Sequence, residues 1–222
     1  LVWSDFGGRA ERDEDEKTTA VREFMEESLA LVVSPDDAQH AIVNNHVLYH
    51  ICHKSVMRSP RLKALYATFS VYVLFVPYDE QLPTQFSIAR HLLAKGLRYQ
   101  EMGGTNNIAR ARSYFLRLPE AVRHHPNIQF AADFTIIDCS RAVLEKHCVA
   151  WWSLPQLYTL LTTEEFATQH SLRPCLQQTL KVLFDQAWKK HLPSNMFPKM
   201  DTMFEPEEST ETSCTAWEPS AP

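Results

Sequence analysis

The chain has 222 residues, 45% of them hydrophobic and 22% charged, with a net charge of −5. That composition is globular, and the length suits one domain or one domain with appendages. The negative balance excludes a global basic field for drawing the chain onto DNA or an anionic membrane, and no apolar run reaches the roughly 18 residues of a membrane-crossing helix.

"LVWSDF" at residues 1–6 reads as a short strand running into a turn at Gly7-Gly8. A loop follows to about Glu14. Asp15 is a good N-cap, Glu16 suits the positive helix end, and a helix of about 13 residues should reach Ser28. Ala20, Val21, Phe24 and Ser28 form its expected packing stripe. "IVNNHVLYHICHK" reads as a strand broken at Asn44-Asn45, and "LYATFSVYVLFVPYD" as a stronger one. The connection between them suits an antiparallel pair. Thr84 to Glu101 is helical in pattern, with Phe86, Ala89, His91, Leu92, Leu93 and Leu97, and "GGTNN" breaks it. A short helix starts at Pro119, and "IQFAADFTIID" reads as a strand. A strand ending near Trp151-Trp152 leads into a short helix, "LPQLYTLL". A closing amphipathic helix places Leu176, Leu180, Leu183, Phe184 and Trp188 at helical spacing. From 193 to 222 the chain is rich in Pro, Ser, Thr and Glu, and is expected to be a disordered acidic tail. There is no internal repeat. The five cysteines, Cys52, Cys139, Cys148, Cys175 and Cys214, contain no CxxC pair. They read as reduced thiols of a cytoplasmic protein.

The acids of "GGRAERDEDEKTTAVREFMEESLA" are the most informative feature. Glu23, Glu26 and Glu27 stand at i, i+3 and i+4, so on a helix their carboxylates share one face. Three like charges that close repel one another and call for compensation. A hard divalent cation with oxygen ligands is one economical answer. Glycine at 7 and 8 allows close approach of a backbone carbonyl to the same place.

This segment resembles the signature of the Nudix hydrolase family. Gly8 is followed by five residues and Glu14, and seven more lead to Arg22-Glu23. Phe24 takes the apolar position, and Glu26-Glu27 complete the acidic set. The family's closing glycine is Leu29 here, which puts the helix exit in question. The resemblance implies an α/β class fold, a Nudix α/β/α sandwich with a mixed sheet, spanning 1–192. Only six residues precede Gly7, so its first strands are expected to be missing. The helical segment near 84–126 is expected to be an insertion.

The resemblance also implies a reaction: metal-dependent hydrolysis of the diphosphate in a nucleoside diphosphate linked to another moiety. Mg2+ or Mn2+ is the implied cofactor. Glu23 and Glu27 are the implied metal ligands, with the Gly7 carbonyl. Glu26 holds a further ion or deprotonates the water; Arg22 orients Glu23; Gly8 and Glu14 build the loop. "LEKHCVAWWSLPQL" resembles a late region of MutT-like members, which gives Glu145 a role assisting metal or water, against the plain reading of a surface glutamate. Capped RNA and diphosphoinositol polyphosphate are alternative substrates, and a non-catalytic Nudix-fold binding module is the alternative class. The net charge of −5 disfavours RNA. No membrane partner is implied, and nothing sets an oligomeric state.

Other constellations are weaker. His46, His50, Cys52 and His53 spread too far along a strand to close one zinc tetrahedron. Arg58, Arg61 and Lys63 could grip phosphate or RNA, but read first as a solvated loop. Trp151 and Trp152 read as packing groups before base-stacking ones.

Overall fold

The computed structural model describes residues 2–44, 47–59, 62–163, 171–188 and 212–216, with side chains for all of these except 53–59, 62–67, 141, 171, 187 and 212–216. It is a mixed helix and strand protein. Its described strands lie in three small sheets. The chain divides into two compact units: Leu1–Asp5, Val47–Leu74 and Trp152–Pro222 in the first, Phe6–His46 and Phe75–Trp151 in the second.

The first unit rests on backbone ladders. β1 (Val2–Trp3) pairs in parallel with β6 (Ser171–Leu172). β2 (Tyr49–Ser59) and β3 (Leu62–Val73) form the expected antiparallel pair, but they run through most of the 55–64 segment read as their connection, β3 ends short of the expected Asp79, and the register shifts between Met57 and Ser59. β7 (Thr212–Ala216) pairs with the other edge of β2. These five residues come from the segment whose composition reads as a disordered tail; the rest of 193–222 lies outside the described residues. α6 (Leu154–Thr162) starts in a capping box in which Ser153 and Gln156 satisfy each other's backbone N–H groups. α7 (Pro174–Leu183) continues as a π-helical turn to Trp188. Tyr158, Leu180 and Phe184 make the apolar cluster here, joined by Leu176 and Trp188, so the predicted stripe is the packing face.

The second unit holds the larger core. α1 spans Glu16–Ser28, the helix its caps predict. α2 (Pro35–Val43) occupies part of the segment read as a strand. Its start signals explain the difference: Ser34 accepts from the Asp37 N–H at 3.1 Å, Pro35 sits in the first turn, and Asp36 and Asp37 favour the positive helix end. α3 (Leu82–Met102) turns Phe86, Ala89, Leu92 and Leu93 inward, while His91, read onto that stripe, is exposed. Gly96 has no room for a side chain, because a Cβ there would strike the Phe115 ring of α4 (Thr105–Phe115). α5 is one turn, Glu120–Arg123, after Pro119.

The run "IQFAADFTIID" is a hairpin of two strands, β4 (Ile128–Phe130) and β5 (Ile136–Cys139). Asp133 accepts from the Thr135 N–H at 3.0 Å and its hydroxyl at 2.6 Å, a side-chain turn hidden inside an apolar run. Residues 145–153 contain no strand, so the one expected to end at Trp151-Trp152 is absent. Trp151 instead donates to the Asp79 carbonyl at 2.6 Å and packs against Tyr78. Among the described residues, no helix is long and apolar enough to cross a membrane. Cys52, Cys139, Cys148 and Cys175 are free thiols. Burial pushes Cys139 and Cys175 up to about 11, which makes both poor nucleophiles.

Candidate functional site

The site grows from the loop before α1. Asp15, in extended conformation, accepts from the Thr18 N–H at 2.7 Å and starts the helix. Glu14 is locked by four donors. Arg22 grips it with Nε at 2.9 Å and Nη2 at 3.0 Å; the Thr19 hydroxyl and the Glu11 N–H complete its shell. Arg22 is the main reason its carboxyl falls to about 2. Glu14 therefore braces the loop against the helix.

The same guanidinium reaches the acidic face. Arg22 Nη1 donates to Glu23 Oε1 at 2.9 Å and to Glu26 Oε2 at 3.0 Å. Glu23 lies in the space that Gly8 leaves open; a Cβ at Gly8 would collide with its carboxylate. Burial pushes Glu23 upward, Glu26 and Glu145 add repulsion, and Arg22 opposes them. Glu26 is only 3% exposed and spends its other oxygen, Oε1, on the Asn127 side-chain amide. Glu27, also 3% exposed, accepts from the Gly7 N–H at 2.7 Å and from Lys146 Nζ at 3.0 Å. Burial raises its pKa against the pull of Lys146 and that N–H. Gly7 thus presents its amide, not its carbonyl, to Glu27.

The predicted stripe of α1 packs, with Val21 and Phe24 against the Met25, Ala30 and Ala38 cluster and Ser28 fully buried, and the buried face widens beyond it near the C-terminal end. Ala20, Val21 and Phe24 are half-buried, whereas Met25, Glu26, Glu27 and Ser28 are buried. The exit explains this. Leu29 adopts the left-handed conformation (φ 56°) that glycine usually supplies at a helix exit, and Ala30 follows it (φ 53°). The Ala30 N–H returns to the Met25 carbonyl at 3.1 Å and the Leu29 N–H to Glu26 at 3.4 Å, a Schellman closure made without glycine. Leu29 is fully buried in the main core. His125, also buried, donates Nε2–H to the Met25 carbonyl at 2.9 Å and accepts the Asn127 N–H on Nδ1 at 3.0 Å. Those partners set its neutral tautomer. Burial lowers its pKa.

Gly7, Gly8, Glu14, Arg22, Glu23, Glu26 and Glu27 are therefore drawn together. Glu145 is exposed on the turn after the 3₁₀ segment Arg141–Leu144, and its charge reaches Glu23. Arg90 pins that turn, donating to the carbonyls of Leu144 at 3.2 Å and Lys146 at 2.7 Å. Lys146, Asn127, His125 and Arg90 escape a sequence reading. Lys146 had one signal, its place beside Glu145; the other three act across sequence gaps with no motif. His46, Arg58, Arg61, Lys63 and His53 lie outside the described side chains.

The carboxylates suit a hard divalent cation by chemistry: oxygen donors alone, three of them on one helix face. Among the described residues no three acidic, histidine or cysteine groups converge closely enough to hold an ion unaided. A cation is nonetheless accepted at Glu27, where the Lys146 ammonium sits. By their chemistry alone, the oxygen donors of Glu23 and Glu27 suit a divalent ion. Comparison of the chain with protein-family models, with curated proteins and with solved structures finds no match.

Proposed function

We propose that this protein is a Nudix-type pyrophosphohydrolase, dependent on Mg2+ or Mn2+, that cleaves the diphosphate of a nucleoside diphosphate linked to another moiety. The observation that carries the reading is contact among the signature residues themselves. Glu14, Arg22, Glu23 and Glu26 form one bonded set, and Gly8 lacks a side chain where Glu23 needs the space. The α/β/α sandwich over 1–192 belongs to the same proposal.

A divalent cation at the carboxylates would supply charge neutralisation of diphosphate oxygens and activation of a water. Glu23 and Glu27 would hold the cation. Arg22 keeps Glu23 aimed at the face, and Glu14 keeps Arg22 in place. Glu26 has both oxygens committed to Arg22 and Asn127. The exposed Glu145, near enough to repel Glu23, is the better-placed acceptor for the water's proton.

The test is a panel of nucleoside diphosphate derivatives, capped RNA and diphosphoinositol polyphosphate, each with and without magnesium. Magnesium-dependent product and a melting temperature that rises with magnesium are expected. Glu23→Gln should cut turnover by roughly 10²–10⁴. A second reading, a non-catalytic module on the same scaffold, is favoured by one observation: each carboxylate already has a nitrogen partner. No product from any substrate, together with no magnesium shift, would establish it.

A further inference from the structure

Lys146 is the cation that Glu27 holds in this structure. Its Nζ lies 3.0 Å from Glu27 Oε1, with 15% of its side chain exposed against 3% of Glu27. The other oxygen of Glu27 accepts the Gly7 N–H. Four carboxylates (Glu14, Glu23, Glu26 and Glu27) are shared between two cationic side chains, Arg22 and Lys146. Arg22 serves three of them through a rigid planar fork. Lys146 reaches Glu27 through a flexible four-carbon stem.

We propose that Lys146 is a tethered counter-ion that holds Glu27 when no metal is bound and is displaced when a divalent cation enters, so that it sets the metal affinity of the site. The proposal rests on the reading of the carboxylates as metal ligands. Three features support it. Glu27 is buried, so its charged form is costly without a partner, and in this structure Lys146 supplies one. Arg90 clamps the backbone on both sides of Glu145, at Leu144 and at Lys146. The Lys146 side chain can then move while its backbone stays in place, and its partial exposure gives it a route to water. Arg22 is the wrong group to yield, because leaving would release Glu14, Glu23 and Glu26 together.

The experiment measures Mn2+ binding to the full chain by loss of the free-ion electron paramagnetic resonance signal. The parent is compared with Lys146→Met, which keeps the apolar stem, and Lys146→Arg, which keeps the charge. Lys146→Met should bind Mn2+ about tenfold more tightly, the factor that matches loss of one competing charge-assisted hydrogen bond. Its metal-free melting temperature should fall, and saturating Mn2+ should restore most of the loss. Lys146→Arg, whose fork holds a carboxylate more firmly, should bind Mn2+ more weakly than the parent. If the parent binds Mn2+ and Lys146→Met binds it no more tightly, the counter-ion role is overturned while the metal site stands. If neither binds Mn2+, both are overturned. Should Lys146→Met fail to fold, the arginine variant decides: Mn2+ affinity equal to or above the parent's overturns the proposal.

Discussion

The two ends of α1 meet the same physical demand by opposite means. At the start, a neighbour in sequence meets the free amide groups in solvent: the Asp15 side chain accepts from the Thr18 N–H. At the far end, everything is buried. Two consecutive residues take left-handed conformations without glycine, the helix carbonyl of Met25 is met by His125 from 100 residues away, and two glutamates are held by Arg22, Asn127, Lys146 and Gly7. One end is a local device. The other exists only because the second unit closes around it, and strain and desolvated charge there are offset by packing and long-range bonds.

The largest test of that contrast is His125→Ala. It removes one of the two donors to the Met25 carbonyl, leaves the Asn127 N–H without its acceptor and opens a void. Denaturant unfolding should show a loss of about 2–4 kcal/mol. A loss near zero would mean that the buried end is not held by this histidine.

Next comes the exit. Leu29→Gly relieves left-handed strain of about 1–2 kcal/mol but gives up a fully buried leucine, worth about 2–5 kcal/mol. A net loss is expected, even though glycine is what the resembled signature carries there. Ala30→Gly relieves the same strain while losing one methyl, about 0.8 kcal/mol, and freeing the unfolded chain by about 0.4–1 kcal/mol. It should sit near the parent. If both variants stabilise the protein, packing does not dominate this exit.

Acidification sharpens the comparison with smaller effects. The folded pKa of His125 is lowered from 6.5, so the unfolded chain takes up a proton that the folded one refuses. Its contribution is lost as pH falls below 6.5. Glu23 and Glu27 are raised from 4.5, so the folded state takes up their protons first and gains stability as pH falls toward 4.5. Glu14, pushed down to about 2, loses its contribution from 4.5 downward. In melts across this range, His125→Ala should gain more on acidification from 6.5 to 4.5 than the parent does. Parallel profiles would contradict the burial of a neutral histidine.

The smallest effect belongs to the exposed end. Asp15→Ala removes a solvent-facing cap, and the melting temperature should drop by less than for His125→Ala. A drop as large as that of His125→Ala would erase the distinction between the two ends.

Where local chemistry was decisive, the sequence was legible. Asp15, Glu16 and the spacing of Glu23, Glu26 and Glu27 sufficed to place α1 at Glu16–Ser28 and to gather its acids. Alternating β-branched and aromatic residues likewise placed β2 against β3. Local signals also caused the errors. Ile42 and Val43 look like strand residues, yet the Ser34-Pro35 start places them in α2, and Asp133 folds an apolar run into a hairpin.

By itself, then, the sequence determined which residues share the acidic face, because helical periodicity is a property of neighbours. Only the tertiary structure decided what balances that face. Asn127 and Lys146 reach Glu26 and Glu27 from more than 100 positions away, and His125 is as far from Met25. No short pattern encodes such contacts. Leu29 shows the same division. Its identity argues against a left-handed exit, and it takes that conformation because burying its side chain in the core outweighs the backbone strain.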